Sequence, residues 1–133
     1  MILLEPTTAN TVSLSLAENS EIATPYYLFE FISDDSNVST IFTATNVSTN
    51  KLRYDSFVIT TTTGAEDLLN GVIKLVTKGY YTYNVYDQVS ATNLDLANIT
   101  SLVEVGKVYF NKSGLPTKIG YDSQVKTKNV YNG

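Results

Sequence analysis

The stretch LVTKGYYTYNVY, residues 75–86, decides how this chain is expected to fold. A Lys-Gly pair interrupts an apolar run, and the residues after it alternate, with Tyr81, Tyr83 and Val85 on one face. Strict alternation is typical of a half-buried β-strand, because successive side chains of a strand point to opposite faces. The stretch therefore predicts a strand that begins close to Gly79.

Two turns fit the interruption before this strand. The six-residue spacing of Leu75 and Tyr81, with Gly79 between them, resembles the corner between strands E and F of immunoglobulin-like and fibronectin-like sandwiches. The corner tyrosine of those folds is buried and hydrogen-bonds to the backbone a few residues upstream. Alternatively, Lys78 and Gly79 form a two-residue hairpin in which the glycine has a positive φ. Both interpretations place the stretch in an all-β protein.

The remaining strands are predicted from β-branched and aromatic residues bounded by turn-forming ones. Together with the strand at residues 80–88 they make seven, at the spacing of an antiparallel β-sandwich. Gly106 indicates a bulge or kink within the last of them. We therefore predict an immunoglobulin-like antiparallel β-sandwich of about seven strands, the other six lying at residues 11–16, 26–32, 39–45, 54–60, 72–76 and 102–110.

Several tyrosines are expected on the outside of this sandwich. Tyr26, Tyr80 and Tyr86 fall opposite the predicted core face, and Glu30 is expected to face solvent. Tyrosine offers rigid contact area with a polar tip, so these residues are candidates for an outer surface that another protein covers. The simpler alternative is that tyrosine is a good strand former.

The residue types argue against catalysis. The 133 residues correspond to one domain with one core, and they include no cysteine and no histidine. Histidine is the commonest general base and metal ligand, and a nucleophilic hydroxyl without it needs a lysine or a terminal amine as its partner. The acidic residues at 34–35 and 66–67 are explained as turns, because their spacing does not match an EF-hand loop. We predict a protein that is not an enzyme and has no cofactor and no metal.

Charge and hydropathy narrow the range of partners. The net charge is −4, and nucleic-acid binding needs a concentrated basic face. Lys74, Lys78 and Lys107 are spread over separate strands, and the only local excess of cations, a weak signal, is in the tail at Lys112, Lys118, Lys126 and Lys128. No apolar run approaches the roughly 20 residues that span a bilayer, and the first residues do not resemble a signal peptide. We therefore predict neither nucleic acid nor membrane as a partner.

The two ends differ from the middle of the chain. We assign residues 1–110 to the sandwich domain, with 1–10 as an N-terminal arm, and residues 111–133 to an extended C-terminal arm. The C-terminal arm is polar, with widely spaced large apolar residues, and such a segment cannot offset its ordering entropy alone. We expect both arms to lie on neighbouring molecules through the candidate interface residues Ile2, Leu3, Leu4, Tyr121, Val125, Val130 and Tyr131.

The chain is similar to a known class of proteins at several stretches, namely residues 25–31, 53–57, 79–86, 92–95 and 103–108, and more loosely at 111–114 and 130–133. These stretches resemble small structural proteins of tailed bacteriophages, particularly crAss-like and related phages of Bacteroidetes. The resemblance covers most of residues 11–110 and implies a virion component with an immunoglobulin-like sandwich. It transfers no functional residue, because its motifs describe a fold and not a reaction.

The resemblance leaves three hypotheses about function. The first is an auxiliary capsid protein that decorates and stabilises the major capsid lattice, with other virion proteins and copies of itself as partners. The second is a tail or neck connector or a fibre-attachment protein. Both imply a protein of the virion that is made in the cytoplasm of a bacterial host. The third is a carbohydrate-binding sandwich that stacks Tyr80 and Tyr86 on sugars.

Overall fold

The computed structural model describes residues 1–51 and 53–111, which form two mixed β-sheets packed face to face. The predicted all-β class is confirmed. Short 3-10 turns lie at Ala17–Asn19 and Leu96–Asn98. The strands are β1 Ile2–Leu4, β2 Ala9–Leu14, β3 Tyr26–Ser33, β4 Ser39–Thr43, β5 Asp55–Thr61, β6 Val72–Ile73, β7 Gly79–Gln88 and β8 Ser101–Phe110.

The larger sheet has the strand order β1-β8-β7-β3-β4, and the smaller sheet has the order β2-β5-β6. Two pairs are parallel, β1 with β8 and β5 with β6, and the other pairs are antiparallel. The prediction of a wholly antiparallel sandwich was therefore wrong. The immunoglobulin-like connectivity stays a prediction. The parallel β5–β6 pair is not part of the immunoglobulin pattern.

Aromatic rings from both sheets fill the space between them. Phe29 of β3 stacks on Phe42 of β4 with ring centroids 5.2 Å apart, and it meets Phe57 of β5 edge-on at 4.9 Å. All three rings are completely buried. Edge-on and offset pairs of this kind add to the free energy of burying apolar area, so this cluster joins the two sheets into one core.

The first residues belong to the sandwich and do not form an arm. Ile2, Leu3 and Leu4 form β1 and pair with Val108, Tyr109 and Phe110. Alternation turns Ile2 and Leu4 into the core and leaves Leu3 exposed. The expected N-terminal arm is thus wrong for these residues, because β1 is a strand of the larger sheet and Ile2 and Leu4 are buried in the core.

The turn before β7 is a corner between sheets. β6 and β7 lie in different sheets, which is incompatible with a two-residue hairpin. Tyr81 is buried, and its hydroxyl donates to the carbonyl of Thr77 at 2.6 Å. Gly79 has a φ of +120°, which favours glycine, and Leu75 is buried in the core. This is the geometry that the corner interpretation of Leu75, Gly79 and Tyr81 predicts.

The irregularity in β8 lies elsewhere than predicted. The register with β7 shifts between Val85 and Tyr86, which leaves Val103 as the extra residue. Gly106 stands opposite Tyr83, and a Cβ at this position would lie 2.5 Å from the Tyr83 ring. The glycine is therefore explained by the close approach of a ring, and not by a bulge.

Two buried aspartates hold the connection between β2 and β3, which passes from one sheet to the other. Asp55 accepts hydrogen bonds from the backbone N–H groups of Leu16 and Ala17 at 3.0 and 3.2 Å. Asp87 accepts one from the Ser20 hydroxyl at 2.7 Å. Because both carboxylates are buried, these charge-assisted bonds fix the path of the connection.

Candidate binding surface

The side of the larger sheet that faces away from the smaller sheet is the candidate site, and we call it the outer face. Alternation along each strand turns every second side chain toward it. These side chains do not belong to the hydrophobic core cluster between the sheets. The outer face consists of Leu3 of β1, Tyr26, Leu28, Glu30 and Ile32 of β3, Ser39, Ile41 and Thr43 of β4, Tyr80, Thr82, Asn84, Tyr86 and Gln88 of β7, and Leu102, Val105, Lys107 and Tyr109 of β8.

One end of the outer face is an apolar row. Leu3, Tyr109 and Tyr80 are neighbours across three strands, since Tyr109 pairs with both of the others. The two tyrosine rings have their centroids 5.0 Å apart. Leu3 is 65% and Tyr80 53% exposed, and Val105 and Leu102 farther along β8 are also exposed. Of these five large apolar side chains, four are half or more exposed.

The middle of the outer face contains a buried carboxylate. Glu30 is only 8% exposed, and it accepts hydrogen bonds from the Tyr86 hydroxyl at 2.9 Å, Asn84 Nδ2 at 3.1 Å and the Ser39 hydroxyl at 3.5 Å. Burial raises the pKa of Tyr86 above its ordinary value, and the hydrogen bond to Glu30 and the charge of Glu30 add to the rise. The cross-strand neighbours of Glu30 therefore supply hydrogen-bond donors to both of its carboxylate oxygens.

An ion pair lies between the apolar row and Glu30. Lys107 Nζ is 2.8 Å from Asp34 Oδ2, and the Thr82 hydroxyl donates to the other oxygen of Asp34 at 3.0 Å. These hydrogen bonds, the one from Lys107 foremost, hold the pKa of Asp34 below its ordinary value. Asp34 is thus engaged in a neutral cluster with Lys107, as the turn interpretation of residues 34–35 allows.

A second concave region lies at the end of the sandwich where β3 and β5 begin. It is a cleft of about 580 Å³, lined by Tyr26, Tyr27, Phe57, Asp55 and Lys51 among others. Asp55 uses both oxygens for hydrogen bonds, from Asn46 as well as from the β2–β3 connection. The Tyr27 hydroxyl is buried without a partner among the described residues. Its pKa is raised, mainly by burial and further by the charges of Asp55 and Asp87. A buried phenol and an engaged carboxylate make this cleft a weaker candidate than the outer face.

The residues singled out from the sequence are only partly brought together. Tyr80 and Tyr86 lie on the outer face as predicted, and Tyr26 is exposed as well. Of the N-terminal interface candidates only Leu3 reaches this face, while Ile2 and Leu4 are core residues. The candidates Tyr121, Val125, Val130 and Tyr131, like most of the predicted C-terminal arm, lie outside the described residues.

Glu30 was the main residue that the sequence reasoning missed. It was expected to face solvent, and it does point away from the core, but its surroundings bury it. Its partners Asn84 and Tyr86 are 54 and 56 residues away in the chain. Alternation gives the side of the sheet, whereas burial on that side depends on which strands become neighbours.

Within residues 1–51 and 53–111, no group of three or more acidic, histidine or cysteine side chains is placed to hold a metal ion. No helix in this part of the chain is long and apolar enough to cross a membrane. No protein-family model, no curated protein and no solved structure matches the chain significantly.

Proposed function

We propose that this protein is a non-enzymatic structural component of a bacteriophage particle, an auxiliary capsid protein whose outer face binds the major capsid lattice. The observation that supports binding is the group of large apolar side chains on that face, Leu3, Tyr80, Tyr109, Val105 and Leu102. Exposed large apolar side chains grouped on one face are typical of protein interaction sites, and here Lys107 separates the row of Leu3, Tyr109 and Tyr80 from Val105 and Leu102. The phage particle comes from the resemblance of the chain to small virion proteins.

The polar groups on the outer face favour binding as well. A partner that covers the face must remove water from every charge it buries, which costs free energy when the charge is unpaired. Lys107 and Asp34 already form an ion pair, and Glu30 already accepts three hydrogen bonds. Burial of this face therefore leaves neither Lys107, Asp34 nor Glu30 without a hydrogen-bond partner, although the partners of Glu30 are neutral. Tyrosines suit such contacts because they offer large area with few rotatable bonds.

Repetition would convert a weak contact into a stable one. In a lattice, each bound copy keeps its neighbours close, so further contacts form at high effective concentration. A tail or neck component would gain from the same increase in effective concentration, but within a single ring of copies. The number of copies per particle distinguishes a shell protein from a tail or neck protein, and quantitative mass spectrometry measures it. The copy number of a shell protein is expected to match the number of positions in the capsid lattice.

The geometry does not favour the carbohydrate-binding alternative. Tyr80 and Tyr86 are six residues apart on β7, about 20 Å at the rise of an extended strand. They cannot stack on the same sugar ring. The Tyr86 hydroxyl also donates a hydrogen bond to Glu30, and the Tyr80 ring packs against the ring of Tyr109.

Co-sedimentation with capsids that lack the protein tests the proposal. Tyr80→Glu places a charge in the apolar row and is expected to weaken binding by about tenfold or more. The matched control is Val58→Glu, because Val58 is exposed on β5 of the smaller sheet. Equal thermal midpoints of both variants would show that folding is not the cause of the difference.

Two results would contradict the proposal. Wild-type protein that stays in the supernatant at every concentration would exclude capsid binding. Binding that Val58→Glu and Tyr80→Glu weaken equally would exclude the outer face as the contact.

A further inference from the structure

The edge strand β1 covers only the last part of β8. β8 runs from Ser101 to Phe110, yet β1 pairs only with its last three residues, 108–110. In the described part of the chain, the preceding residues of β8 pair with β7 alone. An unpaired strand edge presents backbone donors and acceptors that another extended segment can use.

The open stretch has defined ends. The N–H of Asn111 donates toward β1, and the carbonyl of Val103 accepts a hydrogen bond from Asn19 at 3.2 Å. Backbone groups of alternate residues in a strand point to the same side. Val105, which lies between these two positions, therefore turns its N–H and C=O groups toward the open edge. Lys107 turns only its N–H toward the open part, because its carbonyl lies beside Ile2 of β1.

A groove of about 560 Å³ lies beside this edge, between β1 and β2. Met1, Leu14 and Tyr54 are among its lining residues, and Glu104 is the only charged side chain in the lining. One oxygen of Glu104 accepts a hydrogen bond from the Tyr83 hydroxyl at 2.5 Å. The other accepts none from the described residues. The groove therefore contains a carboxylate with unused acceptor capacity. The α-amino group of Met1 is a cation on a lining residue, but it forms no ion pair with Glu104, and no lining side chain is cationic.

We propose that an extended segment of a second protein adds to β8 at Val105 and Lys107, parallel to β8 and in line with β1, and that it places a basic side chain against Glu104. Addition of a strand gains backbone hydrogen bonds, and alternate side chains give specificity. The direction follows from β1, which already lies parallel to β8. The extra residue at Val103 and the hydrogen bond from Asn19 limit the segment to a few residues.

The register of β1 predicts the sequence pattern of this segment. Ile2 pairs with Val108, so a strand in line with β1 places its inward side chains opposite Gly106 and Glu104. Gly106 has no side chain, and a large apolar residue can lie opposite it. The residue opposite Glu104 is lysine or arginine. This site shares the residues Val105 and Lys107 with the outer face, but it uses their backbone groups and the groove beside Glu104, whereas the outer face uses side chains. Peptide binding and capsid binding are measured separately, so either proposal can fail without the other.

Nuclear magnetic resonance titration of the full chain tests this site. The probe is a capped heptapeptide that alternates valine with threonine and has one central lysine facing the groove. We expect saturable shifts of the Val105 and Lys107 amides. A matched peptide, N-methylated at the amides that face β8, should not bind, because it lacks the donors for the edge.

Two variants identify the contacts. Val105→Pro removes the edge N–H, and proline is tolerated where the N–H of an edge strand faces solvent. It should abolish binding, whereas the control Val105→Thr should keep it. Glu104→Gln should weaken the peptide by about tenfold, since it removes a charge-assisted hydrogen bond.

A fusion of the peptide to the protein allows the site to be tested even if the free peptide binds weakly. The same heptapeptide placed directly before Met1 acts at an effective concentration of about millimolar or more. It should protect the Val105 amide from hydrogen exchange, and Val105→Pro in the fusion should remove the gain in stability. Absence of protection in the fusion, or equal binding of the N-methylated peptide, would show that β8 does not accept a strand.

Discussion

The two faces of β7 are built on different principles. On the inner face Tyr81, Tyr83 and Val85 are at most 5% exposed and belong to the aromatic and aliphatic core. On the outer face Thr82 and Asn84 are half-exposed and make hydrogen bonds to residues of other elements. The same strand thus contributes burial on one side and specific polar contacts on the other.

This difference separates stability from recognition. Hydrophobic burial is non-directional, so the rings and aliphatic side chains of the inner face tolerate few losses of volume but need no particular partner. The hydroxyls of Tyr81 and Tyr83 are exceptions, because they bond to Thr77 and Glu104. The outer face depends on particular partners, and its apolar row at Leu3, Tyr109 and Tyr80 remains partly exposed. Substitutions on the two faces should therefore differ in size and in kind.

The largest expected effect is on the inner face. Phe29→Ala removes a completely buried ring that contacts Phe42 and Phe57, and it should lower the free energy of unfolding by about 3–5 kcal/mol. Tyr80→Ala on the outer face should change it by only about 0.5–1 kcal/mol. Urea denaturation of both variants measures the difference. Equal losses would remove the distinction between the faces.

The next effect is on the outer face and has a polar origin. Glu30→Ala leaves Tyr86 and Asn84 without their acceptor, which should cost about 1–3 kcal/mol. Glu30→Gln keeps an oxygen that can accept and should cost less. Urea midpoints of the two variants give the comparison. If Glu30→Ala is neutral, the buried carboxylate does not contribute to stability.

The inner face could be predicted from the sequence because its signal is local. Alternation of Tyr81, Tyr83 and Val85 needs no knowledge of the neighbouring strand. The three-residue strand β1 was missed, since its partner β8 lies more than 100 residues away and three apolar residues are too few to show a period. The same distance argument applies to Glu30, whose burial depends on β7.

Removal of the corner hydrogen bond of Tyr81, on the inner face, should lower the free energy of unfolding less than Phe29→Ala does. Tyr81→Phe removes the hydroxyl that donates to the Thr77 carbonyl but keeps the ring, and it should cost about 1–2 kcal/mol. Tyr81→Ala, which also removes the ring, should cost as much as Phe29→Ala. Thermal and urea unfolding measure both. A neutral Tyr81→Phe variant would show that the corner hydrogen bond is dispensable.

The smallest expected effect is the pH dependence of the free energy of unfolding. It differs between a buried tyrosine, Tyr83, and an exposed one, Tyr80. Burial raises the pKa of Tyr83 above its ordinary value, and the hydrogen bond to Glu104 adds to the rise. The folded state therefore keeps this proton at a pH where the unfolded chain has lost it. Its contribution to stability is complete below a pH of about 10 and is lost as the pH rises beyond it.

Urea midpoints at pH values of about 9, 10 and 11 measure this loss. Tyr83→Phe should show a shallower decline than wild type, whereas Tyr80→Phe, which changes an exposed ring, should decline as wild type does. An equal slope in all three proteins would show that Tyr83 does not hold its proton in the folded state.

The parallel pairs and the position of the bulge could not be predicted for a related reason. Which strand lies beside β6 is decided by the packing of whole sheets, and its two residues contain no directional signal. Glycine permits a bulge, so the sequence alone predicts one at Gly106, but the glycine accommodates Tyr83 from the neighbouring strand. Sequence therefore predicts elements well and their neighbours poorly.

The central claim is that the outer face of the larger sheet contacts another virion protein. Hydroxyl-radical footprinting of assembled particles and of the free protein tests it most directly, with Tyr80 on the outer face and Val58 on the smaller sheet as the reporters. We predict that assembly strongly slows oxidation of Tyr80 and leaves that of Val58 unchanged. Oxidation of Tyr80 at the same rate in particles and in solution would contradict the claim.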